Sequence, residues 1–370
     1  MEYRLEELFD LQMGKTPSRN NAEYWDSKDN KWISIADLSK CGKYICETKE
    51  YISNKAVEES GISKILANTV VMSFKLSIGK AAITSEEMYS NEAIMAFRDK
   101  HTIDLVPEYI YYLLLAHDWN EGTNKAVMGK TLNKATLSKT KVSIHSHKEQ
   151  IAIVDCLNAV THVITSRQQQ LQKLDELVKA RFVEMFGSIY DNKYGYNVMT
   201  LQDVCEPIKD GTHQTPTYTE DTVNGFKFLS SKDVTSGKVD WDHLKYIPEE
   251  LHNELYKRIS PRKGDILLAK NGTTGVAAIV DRDEVFDIYV SLALLKPLEM
   301  VTAEYLCSAV NSLETKHQFD HSLKGIGVPN LHLGEIKKTK IIVPPIELQK
   351  QFADFVHQVD KSKVVVASVR

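Results

Sequence analysis

One stretch of about forty residues, 146–187, constrains the fold more than any other part of the sequence. Within it, ten positions follow one another in steps of four and three, and eight of them are apolar: Ile153, Leu157, Val160, Ile164, Arg167, Leu171, Leu174, Val178, Arg181 and Met185. This spacing is typical of a coiled-coil seam rather than of the wider apolar face of a globular helix. At about 1.5 Å per residue such a helix spans roughly 60 Å, so it needs a partner helix along its length.

The two ends of this stretch carry helix start and stop signals. Ser146 can cap the first turn while Glu149 reaches back to it, and Gly187 follows Phe186 at the other end. No proline lies between these residues. The sequence therefore predicts one unbroken helix over 146–187.

The seam returns near the C-terminus, which indicates an internal repeat. A shift of 199 residues places these side chains on the first part of the seam: Phe352, Val356, Val359, Lys363, Val366 and Arg370. Pro344 and Pro345 open this second helix, as proline can at a first helical turn. Residues 344–370 are therefore predicted to form a second long helix, shorter than the first and antiparallel to it.

The segments before the helices repeat as well, at an offset of 196 residues. Residues 69–83 and 265–279 both contain a buried-looking strand, a polar turn with a glycine, and then Ala-Ala-Ile. Residues 32–37 match 228–233 in the same way. Each half therefore predicts a globular unit of about 145 residues followed by a long helix.

The predicted fold class is α+β, because each unit mixes short strands with few helices. We expect two tandem domains of mixed α/β structure, joined and separated by two long antiparallel coiled-coil helices with a pseudo-twofold internal repeat. The expected divisions are 1–145 for the first domain, 146–187 for the central helix, 188–343 for a linker and the second domain, and 344–370 for the distal helix.

Two local elements of the first domain can also be placed from the sequence. Residues 32–38 are expected to form a strand that closes on Asp37. Residues 107–117 are expected to form a short helix that begins at Pro107, because apolar residues follow it at helical spacing. Both belong to the mixed pattern of the predicted domain.

The composition limits the ways in which the chain can act. A formal charge of −4, with 42% hydrophobic and 26% charged residues, excludes a globally basic nucleic-acid binder, so contacts with nucleic acid must come from local patches. The five cysteines have no Cys-x-x-Cys spacing, so neither a disulfide frame nor a zinc site is indicated and a cytoplasmic location is expected. Neither a signal-peptide pattern nor an apolar run of about eighteen residues occurs, so we expect no contact with membranes.

The most basic patch lies between residues 122 and 148, which contain six lysines and no acidic residue. The equivalent stretch of the second half, 324–340, has four lysines against one glutamate and includes a glycine-rich loop. Lysines without neighbouring acids favour contacts with phosphates. We therefore expect the first stretch to form a solvated or DNA-facing loop.

Two hairpin tips, 75–80 and 270–275, place a lysine, hydroxyl groups and a glycine at the same point of each half. The turns at 14–17 and 210–213 are counterparts in the same way. Because the side chains differ between the halves, we favour a shared scaffold that reads two DNA targets over an ordinary hairpin. The candidate DNA-binding residues are Lys15, Thr16, Lys75, Ser77, Lys80, Lys130, Thr131, Lys134, Thr212, His213, Lys270, Asn271, Thr273, Thr274, Lys324 and Asn330.

Catalytic and metal-binding motifs are weak in this sequence. Gly129-Lys130-Thr131 lacks the earlier glycine of a phosphate loop, because position 124 is Asn. His145 and His147 have no further ligands nearby, so two histidines at a strand end are expected rather than a metal site. No Asn/Asp-Pro-Pro-aromatic tetrad, as a DNA methyltransferase needs, occurs. We expect neither an enzyme nor a bound metal or cofactor.

Several longer motifs carry a family resemblance. They are DGTHQTP at 210–216, FKFLSSKDV at 226–234, GDILLAKNGTTGVAAI at 264–279, GKTPSRN at 14–20, WISIADL at 32–38, PPIELQKQF at 344–352 and KEQIAIV at 148–154. Taken together, they resemble the specificity subunit of type I restriction-modification systems over nearly the whole chain. His145 and Ser146 stand where the family's double proline would begin the first helix.

The resemblance implies a protein without catalysis of its own that binds a split double-stranded DNA sequence, one half per target-recognition domain, with the helices as a ruler. It also implies two modification subunits, which methylate adenine with S-adenosylmethionine, and, through them, restriction subunits that cleave DNA with ATP. The alternative from another class is a coiled-coil adaptor whose globular ends bind proteins. The acid-free lysine loops argue against an adaptor.

Overall fold

A computed structural model of the protein describes residues 1–75, 77–119, 124–126, 129–323 and 330–368. The chain divides into two compact units, Met1–Ile164 and Thr165–Arg370. Both units mix helices with short strands, which confirms the predicted α+β class.

The first unit contains twelve strands among the described residues, and its last helix continues into the second unit. The strands are β1 (Glu2–Arg4), β2 (Phe9–Met13), β3 (Asn30–Ile33), β4 (Tyr44–Ile45), β5 (Glu50–Ile52), β6 (Val70–Ser73), β7 (Ala81–Thr84), β8 (Tyr89–Ser90), β9 (Ile94–Asp99), β10 (Asn124–Ala126), β11 (Gly129–Thr131) and β12 (Lys141–Ser143). The helices are α1 (Leu5–Leu8), α2 (Ile35–Leu38), α3 (Asn54–Ser60), α4 (Pro107–Ala116), α5 (Lys134–Lys139) and α6 (His147–Phe186), with a 3₁₀ turn at Ala22–Tyr24. Helix α4 confirms the helix predicted to begin at Pro107.

The second unit follows a similar order, with nine strands among the described residues and with one additional helix, α10. Its strands are β13 (Asn197–Thr200), β14 (Lys209–Asp210), β15 (Phe226–Leu229), β16 (Lys245–Ile247), β17 (Ile266–Ala269), β18 (Ala277–Ile279), β19 (Phe286–Ile288), β20 (Leu292–Leu295) and β21 (Lys340–Val343). Its helices are α7 (Leu201–Val204), α8 (Glu249–Arg258), α9 (Ala303–Val310), α10 (Leu313–Ser322), α11 (Leu333–Lys338) and α12 (Ile346–Ser368), with a 3₁₀ turn at Ser231–Asp233.

The two units share one sheet topology, except that the larger sheet of the first unit has an additional edge strand, β4. The first unit has a sheet of order β2-β9-β6-β7-β4 and a sheet of order β5-β3-β8, and the second has β14-β20-β17-β18 and β16-β15-β19. In both three-stranded sheets the central strand pairs antiparallel with one neighbour and parallel with the other. The first and last strands of each unit also pair, β1 with β12 and β13 with β21. The strand order therefore confirms the predicted internal repeat.

The central strands β6 and β17 are buried along their whole length. Because successive side chains of a strand point to opposite faces, each strand contributes to two apolar clusters. In β17, Ile266 and Leu268 belong to one cluster, whereas Leu267 and Ala269 belong to another. The apolar runs at 69–74 and 265–269 are therefore explained by burial on both faces of a sheet.

The strand predicted over residues 32–38 was wrong in its second half. Strand β3 ends at Ile33, and residues Ile35–Leu38 form the short helix α2. The Asp37 carboxylate accepts hydrogen bonds from the Ser34 backbone N–H at 2.8 Å and from the Ser34 hydroxyl at 2.7 Å. This capping box favours a helical turn over a continued strand.

The unbroken helix predicted from the heptad spacing is confirmed as α6. The Glu149 carboxylate reaches back to accept from the Ser146 backbone N–H at 2.9 Å and from the Ser146 hydroxyl at 2.6 Å. Gly187 follows the last turn with a φ of 74°, a conformation that glycine adopts without strain. Neither α6 nor any other helix among the described residues is long and apolar enough to cross a membrane.

Within the second unit, α12 packs antiparallel to the second half of α6. The ring centroids of Phe186 and Phe182 lie 5.4 and 5.6 Å from that of Phe352, near the start of α12. About two turns before Phe182, Asp175 forms an ion pair of 2.7 Å with Lys363, near the end of α12. Since the contacts advance in opposite directions along the two helices, this half of the predicted coiled coil is confirmed.

Exposure changes along the seam of α6. Leu157, Val160 and Ile164, which we call the open seam, are 36, 51 and 53% exposed. Leu171 and Val178, further along the same seam, are only partly exposed. The first half of the seam therefore leaves three apolar side chains exposed to solvent.

A buried glutamine fastens the start of α6 to the first unit. The Gln150 side-chain amide accepts a hydrogen bond from the Val106 backbone N–H at 3.0 Å. It donates to the carbonyl oxygens of Asp104 and His145 at 3.0 and 3.1 Å. Because Gln150 is 1% exposed, these three bonds are shielded from water.

The second unit repeats this arrangement at the start of α12. The Gln349 side-chain amide accepts from the Thr302 backbone N–H at 2.9 Å and donates to the carbonyl oxygens of Met300 and Pro344 at 3.0 and 2.8 Å. Gln349 is fully buried. We call Gln150 and Gln349 the glutamine clamps.

A tyrosine hydroxyl reinforces the same junction in both units. Tyr109 on α4 donates to the carbonyl oxygen of Ser143 at 3.2 Å, and Tyr305 on α9 donates to that of Ile342. Burial raises the pKa of the Tyr305 phenol above its ordinary value, so the hydroxyl stays a donor. The last strand of each unit is thereby held directly before the long helix.

We predict that Gln349→Ala lowers the free energy of unfolding of the second unit by about 2–4 kcal/mol, because buried backbone groups lose their hydrogen-bond partners. Chemical denaturation measures the change. The matched control is Gln351→Ala, since Gln351 is exposed on the same helix and its removal is expected to change the free energy by less than about 0.5 kcal/mol. Equal effects of the two substitutions would contradict the clamp.

Candidate nucleic-acid interface

The glycine turns of the two units, Gly14 to Thr16 and Gly211 to His213, lie against the neighbouring sheet, and we call them the glycine loops. A Cβ atom on Gly14 would lie 2.2 Å from a backbone oxygen of the adjoining segment, and one on Gly211 would lie 2.0 Å from such an oxygen. No side chain fits at these distances. Glycine is therefore required for the backbone to pass this close.

The hairpin of the first unit is tied to two other segments through Phe74. The Phe74 backbone N–H donates to the Ala93 carbonyl oxygen at 3.0 Å, and the Phe74 carbonyl oxygen accepts from the Leu132 N–H at 3.0 Å. Phe74, directly before the hairpin tip, is therefore tied to the segment that leads into α5.

The second unit has the same hydrogen bonds at Lys270. Its backbone N–H donates to the Ser291 carbonyl oxygen at 2.9 Å, and its carbonyl oxygen accepts from the Leu331 N–H at 2.7 Å. In each unit the glycine loop, the hairpin and the segment before the last short helix form one arrangement, which we call the three-loop frame.

The glycine at each hairpin tip faces an aromatic ring. Gly79 has a φ of 87°, and a Cβ atom there would lie 2.8 Å from the Trp119 indole. Gly275 has a φ of 80°, and its Cβ atom would lie 3.1 Å from the Phe319 ring. Both the backbone conformation and the nearby ring therefore select glycine in the tip.

The side chain of Lys270 is buried rather than exposed at the hairpin tip. Its ammonium lies 2.6 Å from a carboxylate oxygen of Asp210, and the side chains are 8 and 11% exposed. The other oxygen of Asp210 lies 3.3 Å from Nε2 of His213. Burial raises the pKa of the Asp210 carboxyl, but the hydrogen bond and charge of Lys270, followed by those of His213, outweigh it and hold the pKa below its ordinary value.

Arg258 holds the same loop from its backbone side. Its guanidinium donates to the carbonyl oxygens of Asp210 and Gly211 at 2.8 and 2.6 Å. Charge-assisted bonds of this kind are stronger than neutral ones. The glycine loop of the second unit is therefore fixed through both its backbone and its acidic side chain.

The glycine loop of the first unit is held by different side chains. The apolar residues Met13 and Phe74 take the places of the buried ion pair. The Thr16 hydroxyl donates to the Glu92 carboxylate. Burial raises the pKa of Glu92, but the Thr16 hydroxyl and the Glu92 backbone N–H lower it by more, so the pKa lies below its ordinary value.

The structure brings five predicted residues of the first unit into its glycine loop and hairpin: Lys15, Thr16, Lys75, Ser77 and Lys80. The exposed ammonium of Lys15 donates to the Ser60 carbonyl oxygen at 2.5 Å, and that of Lys80 donates to the Ser39 hydroxyl at 2.8 Å. These exposed neutral acceptors can be exchanged for phosphate oxygens, which attract an ammonium more strongly.

The predicted residues of the lysine-rich stretch are placed only in part. Lys134 is exposed as the first residue of α5. Lys130 and Thr131 lie in β11, which pairs with β10, and their side chains lie outside the described part of the structure. Lys324 also lies outside the described residues.

The remaining predicted residues of the second unit differ in exposure. Thr212 is buried and accepts from the Gln214 backbone N–H at 3.2 Å. Asn271 and Asn330 form an isolated antiparallel bridge between the hairpin and the segment before α11. At the hairpin tip Thr273 is exposed. Thr274 beside it is half-buried.

Asp210, Arg258 and Glu92 shape the glycine loops, but sequence reasoning did not select them. Lysines and acid-free segments are the sequence pattern that indicates DNA contacts, and the two carboxylates do not belong to that pattern. Comparison of the repeated segments offers a signal, because Asp210 stands opposite Met13 when the glycine loops are aligned. A charged residue at a position that is apolar in the other half indicates that the charge has a specific ion-pair partner within its own unit.

No group of three or more histidine, cysteine, aspartate or glutamate side chains that can hold a metal ion occurs among the described residues. Nδ1 of His145 lies 2.7 Å from the Tyr109 hydroxyl. His145 is therefore part of the junction before α6.

Comparison with known proteins identifies a family that matches nearly the whole chain. The family model described as the type I restriction modification DNA specificity domain matches residues 1–176 and 193–365. The type I restriction enzyme MjaIX specificity subunit of Methanocaldococcus jannaschii is 24% identical over 95% of this chain and 85% of its own. The EcoBI specificity subunit of Escherichia coli is 23% identical over 63% of this chain and 54% of its own.

Two solved structures have a similar fold. One, from a study of complex assembly and conformational transition of the type I restriction-modification system, matches with a TM-score of 0.59 and 16% identity over 99% of this chain and 91% of its own. The other, the S subunit of such a system from M. genitalium, matches with a TM-score of 0.53 and 13% identity over 100% of this chain and 91% of its own. The chain belongs to the family of type I restriction-modification DNA specificity proteins.

We predict that Gly211→Ala destabilises the second unit by about 1–3 kcal/mol, because the added methyl group must displace the backbone that it meets. Thermal unfolding measures the effect. Gly334→Ala is the control, since nothing lies within 4 Å of a Cβ atom there. Gly334 lies within α11, so alanine is expected to stabilise it by about 0.5–1 kcal/mol. A neutral Gly211→Ala would show that the close approach is not required.

Proposed function

We propose that this chain is the DNA-recognition subunit of a type I restriction-modification complex and has no catalytic activity of its own. The observation that carries the proposal is the three-loop frame, which recurs in both units with different side chains at corresponding positions. Such a frame lets each unit read one half of a split double-stranded target. The relatives' names supply the type of complex.

The side chains of the frame divide into two kinds of contact. Lys15, Lys80 and Lys134 are exposed and supply charge for the DNA backbone, which positions the protein without reading sequence. Thr16, His213 and Thr273 are small or planar groups that can approach base edges in the major groove. The buried Lys270 and Thr212 support the loops that carry these groups, and Lys130 is assigned to the phosphates together with Lys134.

The long helices set the distance between the two half-sites in this proposal. In the second unit, α12 packs antiparallel to the second half of α6. The glutamine clamps hold the first turn of each long helix against its globular unit. Two modification subunits dock on the helices, and the open seam of α6 offers an apolar surface for them. Adenine methylation with S-adenosylmethionine and cleavage with ATP belong to these partners and to the restriction subunits, so the chain needs no cofactor.

The proposal assigns residues 1–145 and 188–343 to the two target-recognition domains, the latter with its linker. Residues 146–187 and 344–370 are the spacing helices. The complex acts on DNA in the cytoplasm.

We predict that Lys130→Ala combined with Lys134→Ala weakens binding to all DNA sequences alike. Log affinity falls with log salt concentration, and each lost phosphate contact makes this fall less steep by about 0.9, because fewer counterions are released. The measurement is a salt titration of DNA binding by the assembled complex. Lys179→Ala, at an exposed position of α6, is the matched control and is expected to leave the slope unchanged.

Two other outcomes would count against this assignment. A changed methylation sequence with an unchanged salt slope would show that Lys130 and Lys134 read bases. Binding without salt dependence in the unaltered complex would favour a coiled-coil adaptor over a DNA-recognition subunit.

A further inference from the structure

The third residue of each glycine loop is held by a carboxylate. In the first unit the Thr16 hydroxyl contacts Glu92, and in the second unit Nε2 of His213 lies 3.3 Å from Asp210. The two loops align residue by residue from their glycines, so Thr16 and His213 occupy the same position of the frame. The carboxylates come from different places in the chain, yet they reach the same residue of the loop.

The carboxylates decide which hydrogen-bonding groups remain for a ligand. An ionised carboxylate can only accept hydrogen bonds. The Thr16 hydroxyl must therefore donate its hydrogen bond to Glu92. His213 must carry a proton on Nε2 to donate to Asp210. What remains on Thr16 is the lone pairs of its oxygen, and what remains on neutral His213 is the acceptor nitrogen Nδ1. Both units thus offer an acceptor at the same position.

We propose that Thr16 and His213 determine specificity in their respective units, each by accepting a hydrogen bond from an exocyclic amino group in the major groove. The groups that donate there are N6 of adenine and N4 of cytosine, whereas guanine and thymine present carbonyl acceptors. Glu92 and Asp210 are positioning residues, since they fix the direction of the proton without touching DNA. This inference rests on the proposed DNA-recognition function.

The surroundings of each pair support this assignment. The His213 side chain is 69% exposed, so its free nitrogen is open to a ligand. Lys270 holds the second oxygen of Asp210 at 2.6 Å, and Arg258 holds the Asp210 backbone, so the carboxylate cannot turn away. In the first unit Thr16 is only partly exposed on a loop whose glycine permits close approach to DNA.

The first test is Glu92→Gln in the complete complex, with the preferred DNA sequence mapped by methylation. An amide can donate to the Thr16 oxygen, which leaves the hydroxyl proton free for DNA. We expect one position of one half-site to accept guanine or thymine in addition to its original base. The other half-site is expected to stay the same, which makes the second unit an internal control.

Thr16→Val is the companion variant, because valine keeps the shape of threonine without its hydroxyl. We expect about a tenfold loss of discrimination at the same base position, since one hydrogen bond is removed. For the second unit, Asp210→Met combined with Lys270→Phe installs the residues that the first unit carries at these places, so neither a buried carboxylate nor a buried ammonium is left without its partner. This variant frees His213 and is expected to relax one position of the other half-site only.

A change on the DNA side keeps the test independent of protein folding. Purine in place of adenine, or 4-deaminated pyrimidinone in place of cytosine, removes the amino group at the identified position. The unaltered complex is expected to bind this DNA about tenfold more weakly, whereas the Thr16→Val complex loses nothing further.

Two results would overturn the inference. If Glu92→Gln and the double variant weaken binding to all sequences alike, the carboxylates only stabilise their loops. If removal of the amino group weakens the unaltered and Thr16→Val complexes equally, Thr16 does not read that group. Absence of any split sequence preference in the unaltered complex would instead overturn the proposed function itself.

Discussion

The buried glutamine clamp at the start of each long helix is the interaction on which the rest of the structure depends. Apolar packing is non-directional, so a coiled-coil seam alone does not fix the angle at which a helix leaves a globular unit. Gln150 and Gln349 supply that direction, because each forms two hydrogen bonds with the loop before a neighbouring helix and a third with the segment that leads into its own helix. A helix can measure a distance on DNA only when its junction with the reading unit is rigid.

In the three-loop frame, the backbone hydrogen bonds are the same in both units, whereas the side chains differ. Backbone hydrogen bonds at Phe74 and Lys270 are the same in both units and do not depend on the side chain. The side chains at these positions differ completely, a phenyl ring in one unit and a buried ammonium paired with Asp210 in the other. A recognition protein built in this way can change its target by exchanging loop residues while the sheets and the helices remain unaltered.

The sequence was sufficient for features that rest on local periodicity. The heptad spacing predicted α6, the return of the same spacing near the C-terminus predicted α12, and repeated motifs predicted that the two units are alike. Features that depend on distant partners were not predictable. Lys270 sits in a polar hairpin and looks exposed, but its partner Asp210 lies in another loop sixty residues away. Likewise, nothing in the spacing around Gln150 distinguishes a buried clamp from an ordinary helical glutamine. The strand prediction over residues 32–38 was wrong because its apolar residues suggested a strand, whereas Ser34 followed three residues later by Asp37 is a signal for a helix start.

Independent reading by the two units is the central claim, and domain exchange tests it most directly. Residues 201–338 are replaced by the corresponding segment of a related specificity subunit, and the methylated sequences of the host genome are mapped. The account predicts that one half-site changes while the other half-site and the spacing between them stay the same, because both helices are retained and Gln349 bonds to backbone groups, which the related segment also supplies. A simultaneous change of both half-sites, or a change in the spacing alone, would contradict it.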